Sequence, residues 1–220
     1  MKFQIEKNLR QIQEEIAPYK PNIIAVTKYF DENAVIEAYA AGIRDFAESR
    51  VIEGSEKINR LPEEIRANST FHFIGHLQTN KAKRAVENFD VIHSVDSVRL
   101  AQKISEYAQG INKVQKILLQ VNIAGETQKT GFEAEEMLNS LPQIMDMRGI
   151  ELIGLMCMTP LGDSPDRIRD YFRQVRELRD LVSKRYGAVL KELSMGMSQD
   201  YVIAAQEGST MLRIGRRLFS

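Results

Sequence analysis

The feature that most constrains the fold of this 220-residue chain is an order of elements: a short β-branched run, then an amphipathic stretch, eight times over. An opening amphipathic helix is predicted over 2–17, with Phe3, Ile5, Leu9, Ile12 and Ile16 at helical spacing; Pro18 and Pro21 break it. Strands are predicted at 22–29, 45–49, 70–75, 91–97, 116–124, 151–158, 190–196 and 210–215. Helices are predicted at 32–41, 51–60, 79–88, 98–109, 133–147, 165–186 and 199–206. Asp31 reads as a cap and Gly42 as a stop, and Ile168, Phe172, Val175, Leu178 and Val182 form one stripe of the longest helix. A polar loop, 125–132, follows the fifth strand. Strands joined by helical crossovers pair in parallel, and eight such units close into a (β/α)8 TIM barrel, an α/β fold, here with an extra N-terminal helix. A doubly wound open sheet is the competing architecture, but no G-x-G-x-x-G follows the first strand. No internal repeat or linker divides the chain, so residues 1–220 read as one domain.

Composition removes several classes of function. Thirty basic and thirty acidic residues balance to zero net charge, which offers no long-range pull toward nucleic acid or anionic lipid. The apolar runs are too short to span a bilayer, and the first residues lack the apolar core of a secretory signal. One cysteine, Cys157, excludes an internal disulfide and a cysteine-based metal cluster. A cytoplasmic protein without nucleic-acid or membrane partners is expected.

In a barrel of this kind, functional residues sit at the C-terminal ends of strands. Lys28 stands near the end of the first predicted strand, where desolvation can free its amine for Schiff-base chemistry; the bland reading is a lysine just past the strand, reaching to solvent. Two later segments suggest phosphate binding. One holds Gly196 and Ser198; the other holds Gly208, Ser209 and Thr210, with Arg213 and Gly215 at the end of the last strand. Small residues let backbone N–H groups approach a phosphate, and hydroxyls add donors. Either segment alone reads as turns; together, opposite a strand-one lysine, they favour a phosphate site.

These segments carry a resemblance. AVTKYF (25–30), HFIGHLQTNKAK (72–83), IHSVDS (92–97), LLQVNIAGETQKTGF (118–132), GLMCMTP (154–160), ELSMGMSQD (192–200) and EGSTMLRIGRRLF (207–219) resemble, in order, the pyridoxal phosphate homeostasis proteins, the YggS/PROSC-like PLP-binding family. The resemblance implies a barrel like the N-terminal domain of alanine racemase and other fold-type III PLP proteins. It implies that Lys28 forms the internal aldimine with pyridoxal 5'-phosphate (PLP). Ser198, Ser209, Thr210 and the backbone near Gly215 and Arg216 would hold the phosphate, and Arg213 would face the pyridine nitrogen. Where the family has F-G-E-N-[RY]-V-Q-E, this chain reads FAESRVIE (46–53), so Ser49 replaces an asparagine expected near the cofactor.

No metal site is expected. His72, His76 and His93 lack a metal-ligand spacing and read as packing or site-edge residues. Cys157 reads as core; Met145, Met147, Met156 and Met158 read as core or site lining. Lys81, Lys83 and Arg84 read as a solvated face, with Asn80 and Lys81 as rim residues by resemblance.

Three functions compete: a carrier of PLP for intracellular homeostasis, with apo-PLP enzymes as recipients; a weak PLP-dependent racemase; and a phosphosugar barrel without PLP. Alanine racemases add a C-terminal β-domain that supplies a second acid/base tyrosine. This chain ends at Ser220 directly after strand eight, and Tyr29 and Tyr201 stand at no matching motif. Arg213 can only donate, so the ring nitrogen facing it stays largely unprotonated and the electron sink is weak. A carrier, expected to be a monomer, is the favoured reading.

Overall fold

Eight parallel strands close into a barrel in chain order: β1 (Asn22–Val26), β2 (Asp45–Glu48), β3 (Thr70–Phe73), β4 (Val91–Val95), β5 (Gln115–Gln120), β6 (Ile150–Met156), β7 (Glu192–Met197) and β8 (Met211–Ile214). The ring closes where Asn22 to Ala25 pair with Met211 to Ile214. The computed structural model describes residues 2–125, 130–187 and 190–220. Part of the predicted polar loop, residues 126–129, lies outside the described residues.

The principal helices among the described residues are α1 (Lys2–Glu15), α2 (Glu32–Ala40), α3 (Val51–Arg60), α4 (Glu63–Ala67), α5 (Ala82–Asn88), α6 (Val98–Gly110), α7 (Ala134–Met145), α8 (Pro165–Tyr186), α9 (Tyr201–Gln206) and α10 (Arg216–Phe219). Their ends follow local chemistry. The Asp31 carboxylate accepts from Asn33 and Ala34 amides at the start of α2. Ser164 caps α8, Pro165 opens it, and Gly187 at φ 65° closes it. Two short helices, α4 and α10, are too brief to show a period in the sequence. The predicted helix over 79–88 begins as a 3₁₀ turn, Thr79–Lys81, before α5.

The main core lies between the strands and the surrounding helices. Ile24, Val26, Ala47 and Met211 form a separate small cluster, and Val91, Leu118 and Met156 another. Strand alternation turns these side chains into the barrel interior. The extra helix α1 buries Ile5 and Ile12, while Phe3, expected on the same stripe, is 85% exposed. Asn8 donates to the carbonyls of Leu218 (3.0 Å) and Ser220 (2.8 Å), tying α1 to α10.

The first strand is shorter than predicted. The Thr27 carbonyl accepts from the Phe30 amide at 2.9 Å, which turns the chain before Lys28 can continue the ladder. That turn carries Lys28 at the C-terminal end of the barrel, its mouth.

Candidate functional site

Lys28, Ser49, Ser198, Gly215 and Arg216 all follow the C-terminal ends of strands, on β1, β2, β7 and β8. Lys28 is exposed rather than desolvated, with its ammonium 5.0 Å from the centroid of the Tyr29 ring. What is buried is the support beneath it. The Thr27 hydroxyl donates to Glu48 Oε1 at 2.6 Å, and Lys57 Nζ donates to the same oxygen at 2.6 Å and to the Thr27 carbonyl at 2.8 Å. Glu48 and Lys57 are 4% and 7% exposed, so this ion pair sits inside the protein and grips the residue before Lys28. Gly54 lets α3 come this close, because a Cβ there would lie 2.8 Å from Glu48 Cβ. Sequence reasoning missed Lys57, although a lysine on the buried stripe of α3 was a signal.

Ser198 follows β7 in a turn held by Asp200, whose carboxylate accepts from the Met197 amide (2.6 Å) and the Thr159 hydroxyl (2.7 Å). Gly196, at φ +94°, is needed there: a Cβ would fall 2.5 Å from Ala204 Cβ on α9. Ser198 Oγ accepts from the Gly215 amide at 3.4 Å, so the ends of β7 and β8 meet. The first amides of α10, at Arg216 and Arg217, have no intrahelical partner by helix geometry. The ends of β7 and β8 thus bring the Ser198 hydroxyl beside the start of α10. Ser49 is half-buried just past β2, on the same side; Asn80 and Lys81 are exposed beyond β3.

Ser209 and Thr210 do not join them, which corrects the expectation. Both precede β8 and lie at the opposite end of the barrel, about 17–20 Å along the strand from Gly215. The Ser209 hydroxyl donates to the Met195 carbonyl at 2.7 Å, and that of Thr210 to Glu192 Oε2 at 2.6 Å. They lock β8 to β7 and have nothing left for a ligand at the mouth.

Arg213 points into the barrel and is 3% exposed. It donates to Ser194 Oγ at 2.6 Å and to the Cys157 carbonyl at 2.9 Å. Burial lowers its pKa, with Cys157 and Asp200 acting in the opposite sense. No carboxylate lies within ion-pair distance of it among the described residues. Burial pushes the Cys157 thiol up to about 12, which suits its place in the core.

From Ser194 a line of hydrogen bonds crosses the interior. Ser194 Oγ lies 2.8 Å from His93 Nδ1, His93 Nε2 lies 2.8 Å from His72 Nδ1, and His72 Nε2 lies 3.0 Å from Asp45 Oδ1. Asp45, at the start of β2, lines a cavity of about 590 Å³ at the far end of the barrel, beside Leu9, Ile16, Tyr19 and Ile43. His76 stands apart, exposed, 3.5 Å from Asp96. Among the described residues no group of three or more His, Cys, Asp or Glu could hold a metal. The Tyr201 hydroxyl is taken by Glu15, and Tyr29 is 76% exposed.

Burial, then His72 and the Arg213 cation, hold the His93 pKa well below 6.5, so it is neutral in the fold. The unfolded chain takes up a proton there below about pH 6.5 and the folded one does not. Stability therefore falls as pH drops through that window, by at most about 1.4 kcal/mol per pH unit. For Asp45, burial raises the pKa, but hydrogen bonds from His72 and Asn22 outweigh it, so its own contribution is lost only below the ordinary 3.8. Urea midpoints at pH 5.5 and 7.5 check this: the drop should shrink in His93→Asn, and an unchanged drop would assign it elsewhere.

A closed parallel barrel with a lysine just past strand one, strands seven and eight joined at their ends through Ser198 and Gly215, and a buried arginine on strand eight defines a class of protein. Residues 3–220 match the family model described as "Alanine racemase, N-terminal domain". An alanine racemase of Clostridium difficile shares the fold (TM-score 0.76, 16% identity), with this chain covering 56% of its length. The chain belongs to the pyridoxal phosphate homeostasis protein family. The Synechocystis member is 41% identical over 94% of both chains, and that of Aquifex aeolicus 36% identical over 90% of this chain and 85% of its own. PipY of Synechococcus elongatus, solved without PLP, superposes with TM-score 0.92 at 36% identity, covering 98% of this chain and all of its own. PipY solved with PLP bound gives 0.88 at 35% identity over the same shares.

Proposed function

We propose that this chain binds PLP at the barrel mouth, attached covalently through Lys28, and holds it for transfer to apo-enzymes in the cytoplasm. The observation that carries this is the convergence of three chemistries at one end of the barrel: the Lys28 amine, the Ser198–Gly215–Arg216 cup, and the Arg213 guanidinium with no carboxylate partner. A buried cation bonded only to neutral acceptors fits a ligand that brings an acceptor of its own. When bound, PLP supplies an aldehyde that condenses with amines and a ring that draws electrons. Lys28 supplies the amine. Ser198 and the Arg216 amide would donate to phosphate oxygens beside Gly215, whose own amide is donated to Ser198, and Ser49 would stand at the ligand's edge. Arg213, which can only donate, would face the ring nitrogen and favour its unprotonated form. The two tyrosines weighed as a second acid/base are unsuited, since Tyr201 is held by Glu15 and Tyr29 faces solvent. No helix among the described residues is long and apolar enough to cross a membrane.

Adding PLP to the purified protein should give a visible absorption band that borohydride removes. Ser198→Ala deletes one hydrogen bond to an anion, worth about 1.5–3 kcal/mol. PLP should then bind about tenfold to hundredfold more weakly by equilibrium titration, and pyridoxal without phosphate far more weakly still. Equal affinity for PLP and pyridoxal would remove the phosphate cup. Mixing the loaded protein with an apo-PLP enzyme should transfer the cofactor. Rapid exchange of the α-proton of an L-amino acid for deuterium, with the D-isomer accumulating, would restore the racemase reading.

A further inference from the structure

We propose that Asp45, His72, His93 and Ser194 are positioning residues: a one-way hydrogen-bond chain through the barrel that makes Ser194 present its lone pair to Arg213 and so fixes the guanidinium that faces the bound ligand. This rests on the reading that Arg213 serves the PLP ring.

The direction of the chain follows from valence. Asp45 is a carboxylate with no proton to give, so His72 Nε2 must donate to it at 3.0 Å. A neutral imidazole has one N–H, so His72 Nδ1 accepts, and His93 Nε2 must donate across 2.8 Å. His93 Nδ1 then accepts, and the Ser194 hydroxyl must be its donor, at 2.8 Å. The Ser194 oxygen is left with lone pairs, one of which takes the Arg213 N–H at 2.6 Å. Every donor points from Arg213 toward Asp45.

The reverse direction fails. With His72 doubly protonated, His93 would donate to Ser194, whose oxygen would then accept twice. Its own proton would find no acceptor, because His93 and Arg213 are the polar side-chain groups on it and Ser194 is fully buried. Ser194, His72 and His93 are all buried, so bulk solvent offers that proton no acceptor. The chain thus links two opposite charges, Arg213 in the interior and Asp45 beside the far cavity, through three neutral groups. It explains how an arginine is kept buried without a carboxylate touching it, leaving its remaining donors for a ligand. Five strands contribute, β2, β3, β4, β7 and β8, so the guanidinium is held from most of the barrel's circumference.

The first test needs no cofactor. In ligand-free protein labelled with ¹⁵N-histidine, His72 and His93 should both show protonated Nε2 and bare Nδ1 at pH 7, with exposed His76 as the reference signal. Protonated Nδ1 on either ring, or a doubly protonated His72, overturns the chain. The second test reads the ligand end. Ser194→Ala should weaken PLP binding about two- to tenfold, because it removes a bond that orients Arg213 rather than a direct contact with the ligand. It should also shift the visible band, with Ser194→Thr restoring both because it keeps the hydroxyl. Identical affinity and spectrum in wild type and Ser194→Ala overturn the positioning role. If wild type fails to bind PLP at all, the proposed function falls, while the ligand-free spectra still decide the direction of the chain.

Discussion

Lys28→Ala should leave the protein folded and abolish its covalent hold on PLP. The side chain is exposed and makes one cation–π contact, with Tyr29, so little packing is lost. Exposed substitutions of this kind shift stability by about 0.5 kcal/mol or less, or about 1–2 °C in melting temperature for a chain of this size. The covalent bond has no substitute at that position. Incubation with PLP, borohydride reduction and peptide mass analysis should place the added pyridoxyl group on Lys28 in the wild type and nowhere in the variant. Weaker, reversible binding through Ser198, Gly215 and Arg213 should remain. A pyridoxyl group on another lysine, such as exposed Lys81, would show that the barrel mouth presents a different amine.

Lys57→Met should be the most destabilising single change near the site. It leaves Glu48 buried with the Thr27 hydroxyl as its one remaining side-chain donor. Breaking a buried ion pair from one side costs about 3–5 kcal/mol, because the stranded charge keeps its desolvation penalty and loses its partner. For a chain of this length that lowers the melting temperature by about 6–20 °C. The double variant Glu48→Gln with Lys57→Met should recover a large part of the loss, since no charge is then stranded. Denaturant unfolding of the four proteins in this cycle measures the coupling directly. If Lys57→Met cost no more than a surface change, the pair would not be what holds the turn before Lys28.

Local signals made much of the barrel readable. The alternation of elements depends on hydrophobic period, on caps such as Asp31 and Ser164, and on stops such as Gly187, all set by neighbours in the chain. The placing of Lys28, Ser198 and Gly215 follows from the same order, because every strand of a parallel barrel ends on one face. Ser209 and Thr210 depart from the expectation for the complementary reason. They sit close in sequence to Gly215, but an intervening strand carries them to the other face, and their hydroxyls close the β7–β8 seam.

Sequence by itself determined the class of fold and the residues at the barrel mouth, since period, caps and strand ends are properties of short stretches. Tertiary structure alone decided what surrounds them. Lys57 meets Glu48 only once α3 packs on β2, and an exposed lysine gains its foundation from that buried pair. His93 meets Ser194 across 101 residues, with two strands between them along the chain, because the ring is closed and interior side chains then face one another across it. Such contacts depend on closure, register and the inward turn of each strand, which are long-range consequences of burial, so no window of the sequence displays them.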